Sequence, residues 1–135
     1  MENLKLTDEK IIELIKFGTM TREVKINDTV TFYIKNLTQS DREKYSKLVQ
    51  LSKPSKNETV EDSLFMVVEA SKVPLLTYAI TKINDVDFTS DNSKSDLKNI
   101  LEQLPSVIID KLYSEYLDNE NKLVETFNNE EVKKN

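Results

Sequence analysis

Hydrophobic spacing changes character several times along the chain, and each change predicts an element. In "TDEKIIELIKF" (residues 7–17), Ile11, Ile12, Leu14 and Ile15 recur at helical spacing. Thr7 is placed to cap that helix, and Asp8 and Glu9 suit its positive start. Gly18, the only glycine, follows at once and predicts a stop near Phe17. The spacing then drops to two. Val24 and Ile26 alternate with Glu23 and Lys25, and Val30, Phe32 and Ile34 alternate with Thr31, Tyr33 and Lys35. Such alternation in β-branched and aromatic residues marks strands buried on one face. Asn27 and Asp28 lie between them and suit a turn, so an antiparallel hairpin is predicted at about residues 22–36.

Helical spacing returns after the hairpin. "SDRE" at Ser40–Glu43 reads as a capping box and opens a helix through about Leu51, before a polar loop with Pro54. Thr59 to Asp62 repeats the cap pattern ahead of Leu64, Phe65, Val67 and Val68. Pro74 disfavours a helical Val73, so a break or kink is predicted there, with "PLLTYAITKI" (residues 74–83) as a fourth helix. A polar loop follows, with a short extended piece at Val86–Phe88. Ser93 or Ser95 would cap a helix carrying Leu97, Ile100, Leu101 and Leu104. After Pro105 the longest helix keeps Ile108, Ile109, Leu112, Tyr113, Tyr116, Leu117, Leu123, Val124 and Phe127 on one side. The expected architecture is α+β: a predominantly helical single domain over residues 1–127 with one hairpin, and a flexible tail at 128–135.

A two-stranded ribbon is not stable alone in water, so its apolar face must lie on helices or on another protein. Its outward set, Glu23, Lys25, Thr31, Tyr33 and Lys35, is the expected partner-binding surface. Tyr33 is the natural anchor, because an exposed strand-face tyrosine is typical of interfaces.

Composition narrows the chemistry. Cys, His and Trp are absent, so the usual zinc ligands, a thiolate nucleophile and the commonest acid–base catalyst are all missing. One glycine cannot build a phosphate-cradling loop, and no pattern sets a base beside a serine or threonine. The reading is therefore non-enzymatic, with no catalytic residue, cofactor or metal. The one metal-like register runs Asp85, Asp87, Thr89, Asp91, Ser93 and Asp96. A calcium loop needs glycine at its sixth position and an apolar residue at its eighth, where Ser90 and Asn92 stand, so a solvated acidic loop is the preferred reading. A net charge of −5, with arginine only at 22 and 42, argues against a nucleic-acid partner. No apolar run approaches the roughly 20 residues that span a bilayer, and the charged N-terminus lacks a signal-peptide core, so a soluble intracellular protein without a membrane partner is expected.

Three stretches carry a resemblance. They are "FGTMTREVKINDTVTFYIKNLTQSDRE", "VPLLTYAITKINDVDF" and "LPSVIIDKLYSEYLDNENKLVE", and the match they carry covers roughly residues 10–125. Their order resembles the small tail and baseplate-hub assembly chaperones of tailed bacteriophages. Glycine commonly follows "IN" in such proteins, whereas Asp28 and Asp85 stand there in this chain. The resemblance implies a non-enzymatic assembly factor in the host cytoplasm that binds other phage tail or baseplate proteins, hub, initiator or tape-measure proteins among them. The alternative it leaves is a permanent structural component of the tail or baseplate, carried in the virion. A homo-oligomer is compatible with either.

Overall fold

The computed structural model describes residues 9–18, 21–50 and 60–134. Their order is α1 (Glu9–Gly18), β1 (Thr21–Lys25), β2 (Thr31–Lys35), α2 (Gln39–Gln50), α3 (Val60–Ala79), β3 (Ile80–Ile83), β4 (Val86–Asp87), α4 (Asp91–Gln103) and α5 (Ser106–Lys134). The chain is α+β and mostly helical, and the expected hairpin is present as β1 and β2. The expected caps Thr7 and Thr59 and the Pro54 loop lie outside the described residues.

The strands form one antiparallel sheet in the order β1-β2-β3-β4. This corrects the expectation of a lone ribbon: β2 has a strand on each side, and only β1 and β4 are outer. Alternation does what it predicted in the hairpin. Val24, Phe32 and Ile34 are buried, while Glu23 and Lys25 are exposed. The turn is closed by the Ile26 N–H donating to the Val30 carbonyl at 3.0 Å. Inside it the Asn27 side-chain oxygen accepts from the Thr29 N–H and hydroxyl and from the Val30 N–H, at 2.8 to 2.9 Å. Asparagine holds this turn through its side chain.

The second correction is larger. Residues 80–83 are a strand, not the end of a helix. Phe32 pairs with Ile83, Tyr33 with Lys82 and Ile34 with Ile80, so Thr81 is an extra residue, a β-bulge. The bulge lets Ile80 and Ile83, three apart, both oppose inward-facing residues, which is how a strand comes to show helical spacing. The Thr81 hydroxyl donates to the Tyr33 carbonyl at 3.3 Å and so fastens the bulge to β2. Asn84, at φ 53°, turns the chain into β4, and its side-chain and main-chain groups bond to Thr29 and Thr31.

Pro74 does not break the chain either. It lies inside the continuous α3, although its ring removes one helix hydrogen bond. Leu75, Leu76, Thr77 and Ala79 around it are buried, and that packing offsets the local loss. Two hydroxyls help nearby carbonyls: Ser71 donates to Val68 at 2.7 Å and Thr77 to Val73 at 2.8 Å.

Two caps sit earlier than expected. Thr38 and Asp41 form a reciprocal box at the start of α2, each accepting the other's main-chain N–H at 3.1 Å, in place of Ser40 and Glu43. Ser90 caps α4 by accepting from the Ser93 N–H, in place of Ser93 or Ser95. The helical backbone of α5 continues to Lys134, past the boundary expected at 127.

The core lies between one face of the sheet and the helices. Val24, Phe32, Ile34 and Ile80 pack with Leu75, Leu76 and Ala79 of α3, Leu97 and Leu101 of α4, and Ile109, Leu112 and Tyr116 of α5. Ion pairs fix the edges of this layer onto α5. Arg22 of β1 reaches Glu115 at 3.3 Å and Asp118 at 2.6 Å. Arg42 of α2 reaches Glu120 at 3.0 Å, and Lys72 of α3 reaches Asp110 at 2.9 Å. Both arginines of the chain are thereby used to hold the fold.

Candidate interaction surface

Because the helices cover one face of the sheet, the other face carries the outward residues of the strands. Pairing sets them in rows. Glu23, Tyr33, Lys82 and Asp87 are successive partners across all four strands and form one row. Lys25 and Thr31 form a second row beside it, and Thr21 and Lys35 a third. Of the five residues expected to face a partner, Glu23 and Tyr33 are brought together, and Lys25 and Thr31 are neighbours of that pair.

The central row is held by its own members. The Tyr33 hydroxyl donates to Glu23 Oε1 at 3.5 Å, and Lys82 Nζ stands 5.3 Å from the centroid of the Tyr33 ring. A cation at that range is drawn to the negative face of the ring. Tyr33 is consequently half-buried among its neighbours. Asp87 ends the row with its carboxyl held below the usual range, first by the Thr89 hydroxyl and N–H and further by nearby Lys82 and Lys94.

Lys35 departs from expectation. Its ammonium is committed to Asp41 at 2.5 Å, within the start of α2, and both side chains are mostly buried. Burial alone would push the Asp41 carboxyl up. The bonds from Lys35 and from the Thr38 N–H outweigh it, and the carboxyl lies below its ordinary value. Lys35 therefore joins sheet to helix and offers little charge outward.

Sequence reasoning missed Lys82, which supplies the row's cation, because its segment has helical spacing. It also missed Lys94 of α4. That ammonium donates to the Ile80 carbonyl at 3.2 Å and stands 5.8 Å from the Tyr78 ring centroid. Burial, with Lys35 nearby, pushes it down to about 8, against the pull of Asp41, Asp87 and Asp91.

The acidic run at 85–96 is divided among a turn, β4 and α4. Asp87 is bonded to Thr89, and Asp91 pairs with Lys44 of α2 at 3.3 Å. Among the described residues no group of three or more His, Cys, Asp or Glu side chains is placed to hold a metal ion, and no helix is long and apolar enough to cross a membrane.

The surface thus offers a mixed-charge patch with the Tyr33 ring between Glu23 and Lys82. Comparison of the chain with protein-family models, curated proteins and solved structures finds no match.

Proposed function

We propose that this protein is a non-enzymatic assembly chaperone for the tail or baseplate of a tailed bacteriophage, and that it holds other tail proteins on the outward face of its sheet. The family reading rests on the resemblance over roughly residues 10–125. The observation that carries the binding face is the row Glu23–Tyr33–Lys82–Asp87, which sets an aromatic ring between opposite charges on an inner strand. Tyrosine so placed gives contact area with little loss of side-chain freedom, and flanking charges select among partners.

The test is binding of purified hub, initiator and tape-measure proteins from such a phage, followed by calorimetry. One of them should bind the native chain, and Tyr33→Ala should weaken that binding by roughly 1–2 kcal/mol while the fold persists. No binding to any of them overturns the assembly reading. Binding that is unchanged by Tyr33→Ala and by Lys82→Ala overturns the face. If the protein is instead found in purified virions, it is a permanent part of the particle.

A further inference from the structure

The outer edge of β1 has no strand beside it among the described residues. Its hydrogen-bonding groups can be assigned from the hairpin. The Ile26 N–H to Val30 carbonyl bond makes those two a bonded pair, and antiparallel pairs alternate. Val24 with Phe32 and Arg22 with Ile34 are then bonded pairs, so Thr21, Glu23 and Lys25 turn their N–H and C=O groups away from β2. These are the groups of an open sheet edge.

The geometry points to a second copy of this chain as the occupant: we propose that β1 pairs antiparallel with the same strand of another molecule, about a two-fold axis at Val24, to join two sheets into one of eight strands. Two antiparallel registers near the strand centre would use the outward groups. A two-fold at Glu23 sets Glu23 against the same carboxylate of the other copy, a repulsive pair. A two-fold at Val24 sets Glu23 against Lys25 of the other copy, and does so twice. Each of these is a bonded pair, with opposite charges side by side on the outward face. Parallel pairing in register would again place like charges together. Charge therefore selects the Val24-centred register.

Nothing in β1 blocks the approach. Arg22 is drawn onto α5 by Glu115 and Asp118, with its side chain only 17% exposed, so it does not guard the edge. Edge lysines commonly deter pairing, but here each meets a glutamate. The opposite edge of the sheet is a poorer seam, since β4 has two residues and Asp87 is tied back to Thr89. The seam leaves the outward face uncovered, so it stands whether or not that face holds a tail protein.

The chain has no cysteine, which makes crosslinking specific. Chains carrying Glu23→Cys and chains carrying Lys25→Cys would be purified and oxidised singly and as an equal mixture. The mixture should form disulfide-linked dimer at least about tenfold faster than either alone, because a bonded pair brings Cα atoms within disulfide reach. Rapid linkage of Glu23→Cys alone would overturn the register, and no linkage in any sample would overturn the seam. Sedimentation equilibrium of cysteine-free chains supplies the second measurement. The native chain should dimerise, Glu23→Lys should weaken the dimer about tenfold, and Glu23→Lys with Lys25→Glu should restore it. A native chain that stays monomeric at all concentrations, or a dimer indifferent to Glu23→Lys, overturns the proposal.

Discussion

Phe32 and Tyr33 are adjacent in β2 and face opposite ways, so truncating each to alanine separates the core from the outward face. Phe32 is 3% exposed and lies between Val24 and Ile83 on the inner side. A buried phenylalanine removes about 150–250 Å² from water, which at about 25 cal/mol per Å² gives roughly 4–6 kcal/mol as an upper figure. Measured truncations of buried phenylalanine run at about 3–5 kcal/mol, and Phe32→Ala should fall in that range. A chain of this size has a total stability on the order of 7–20 kcal/mol, so the loss is a large fraction of it. Tyr33→Ala gives up the contact with Lys82, about 0.5–1 kcal/mol, and some packing along the row, for roughly 1 kcal/mol in all. Urea unfolding followed by far-ultraviolet circular dichroism is the assay. At a slope of roughly 1.5–2 kcal/mol per molar, Phe32→Ala should lower the midpoint by about 2 M and Tyr33→Ala by about 0.5 M, with slopes unchanged. Equal losses for the two variants, or a loss below about 1 kcal/mol for Phe32→Ala, would refute the assignment of faces.

Lys94 gives a pH signature. Its folded value of about 8 lies below the ordinary 10.5, so the unfolded chain binds more protons between those values and the group's contribution to stability rises as pH rises through that window. The stability difference between the native chain and Lys94→Met should shift in the native chain's favour from pH 8 to 10, and a difference independent of pH would contradict the burial of this amine. At the start of α2, Thr38→Ala should cost about 1 kcal/mol by chemical unfolding, while Ser40→Ala should change stability by less than about 0.5 kcal/mol. The reverse ranking would return the cap to Ser40.

What could be read from the residues divides by how local its cause is. The β1–β2 hairpin was legible because Val24, Phe32 and Ile34 alternate strictly with polar residues. The strand at 80–83 was not, because its bulge at Thr81 exists only in relation to β2, and Ile80 and Ile83 at spacing three read as a helical stripe. Pro74 misled for a related reason: its local cost is visible in the residue, whereas the burial of Leu75, Leu76 and Ala79 that offsets it is tertiary. Of the outward face, Glu23, Lys25, Thr31 and Tyr33 could be named from alternation. Lys82 and Asp87 could not be joined to them without the two further strands. Lys35 was placed on the right strand, but its capture by Asp41 depends on where α2 begins.

The passage from α3 to β3 has no connecting residue: Ala79 ends the helix and Ile80 begins the strand. Helix and strand there share a single degree of freedom. Sliding or turning α3 by one residue drags β3 past β2, and one step of slip would carry Ile80 and Ile83 off their places opposite Ile34 and Phe32. The core contacts of Leu75, Leu76 and Ala79 and the pairing of Ile80 with Ile34 must therefore be reached together during folding. It follows that chain length is fixed at this joint, while the 26–30 turn between β1 and β2, with its exposed tip, is where added residues would be accommodated.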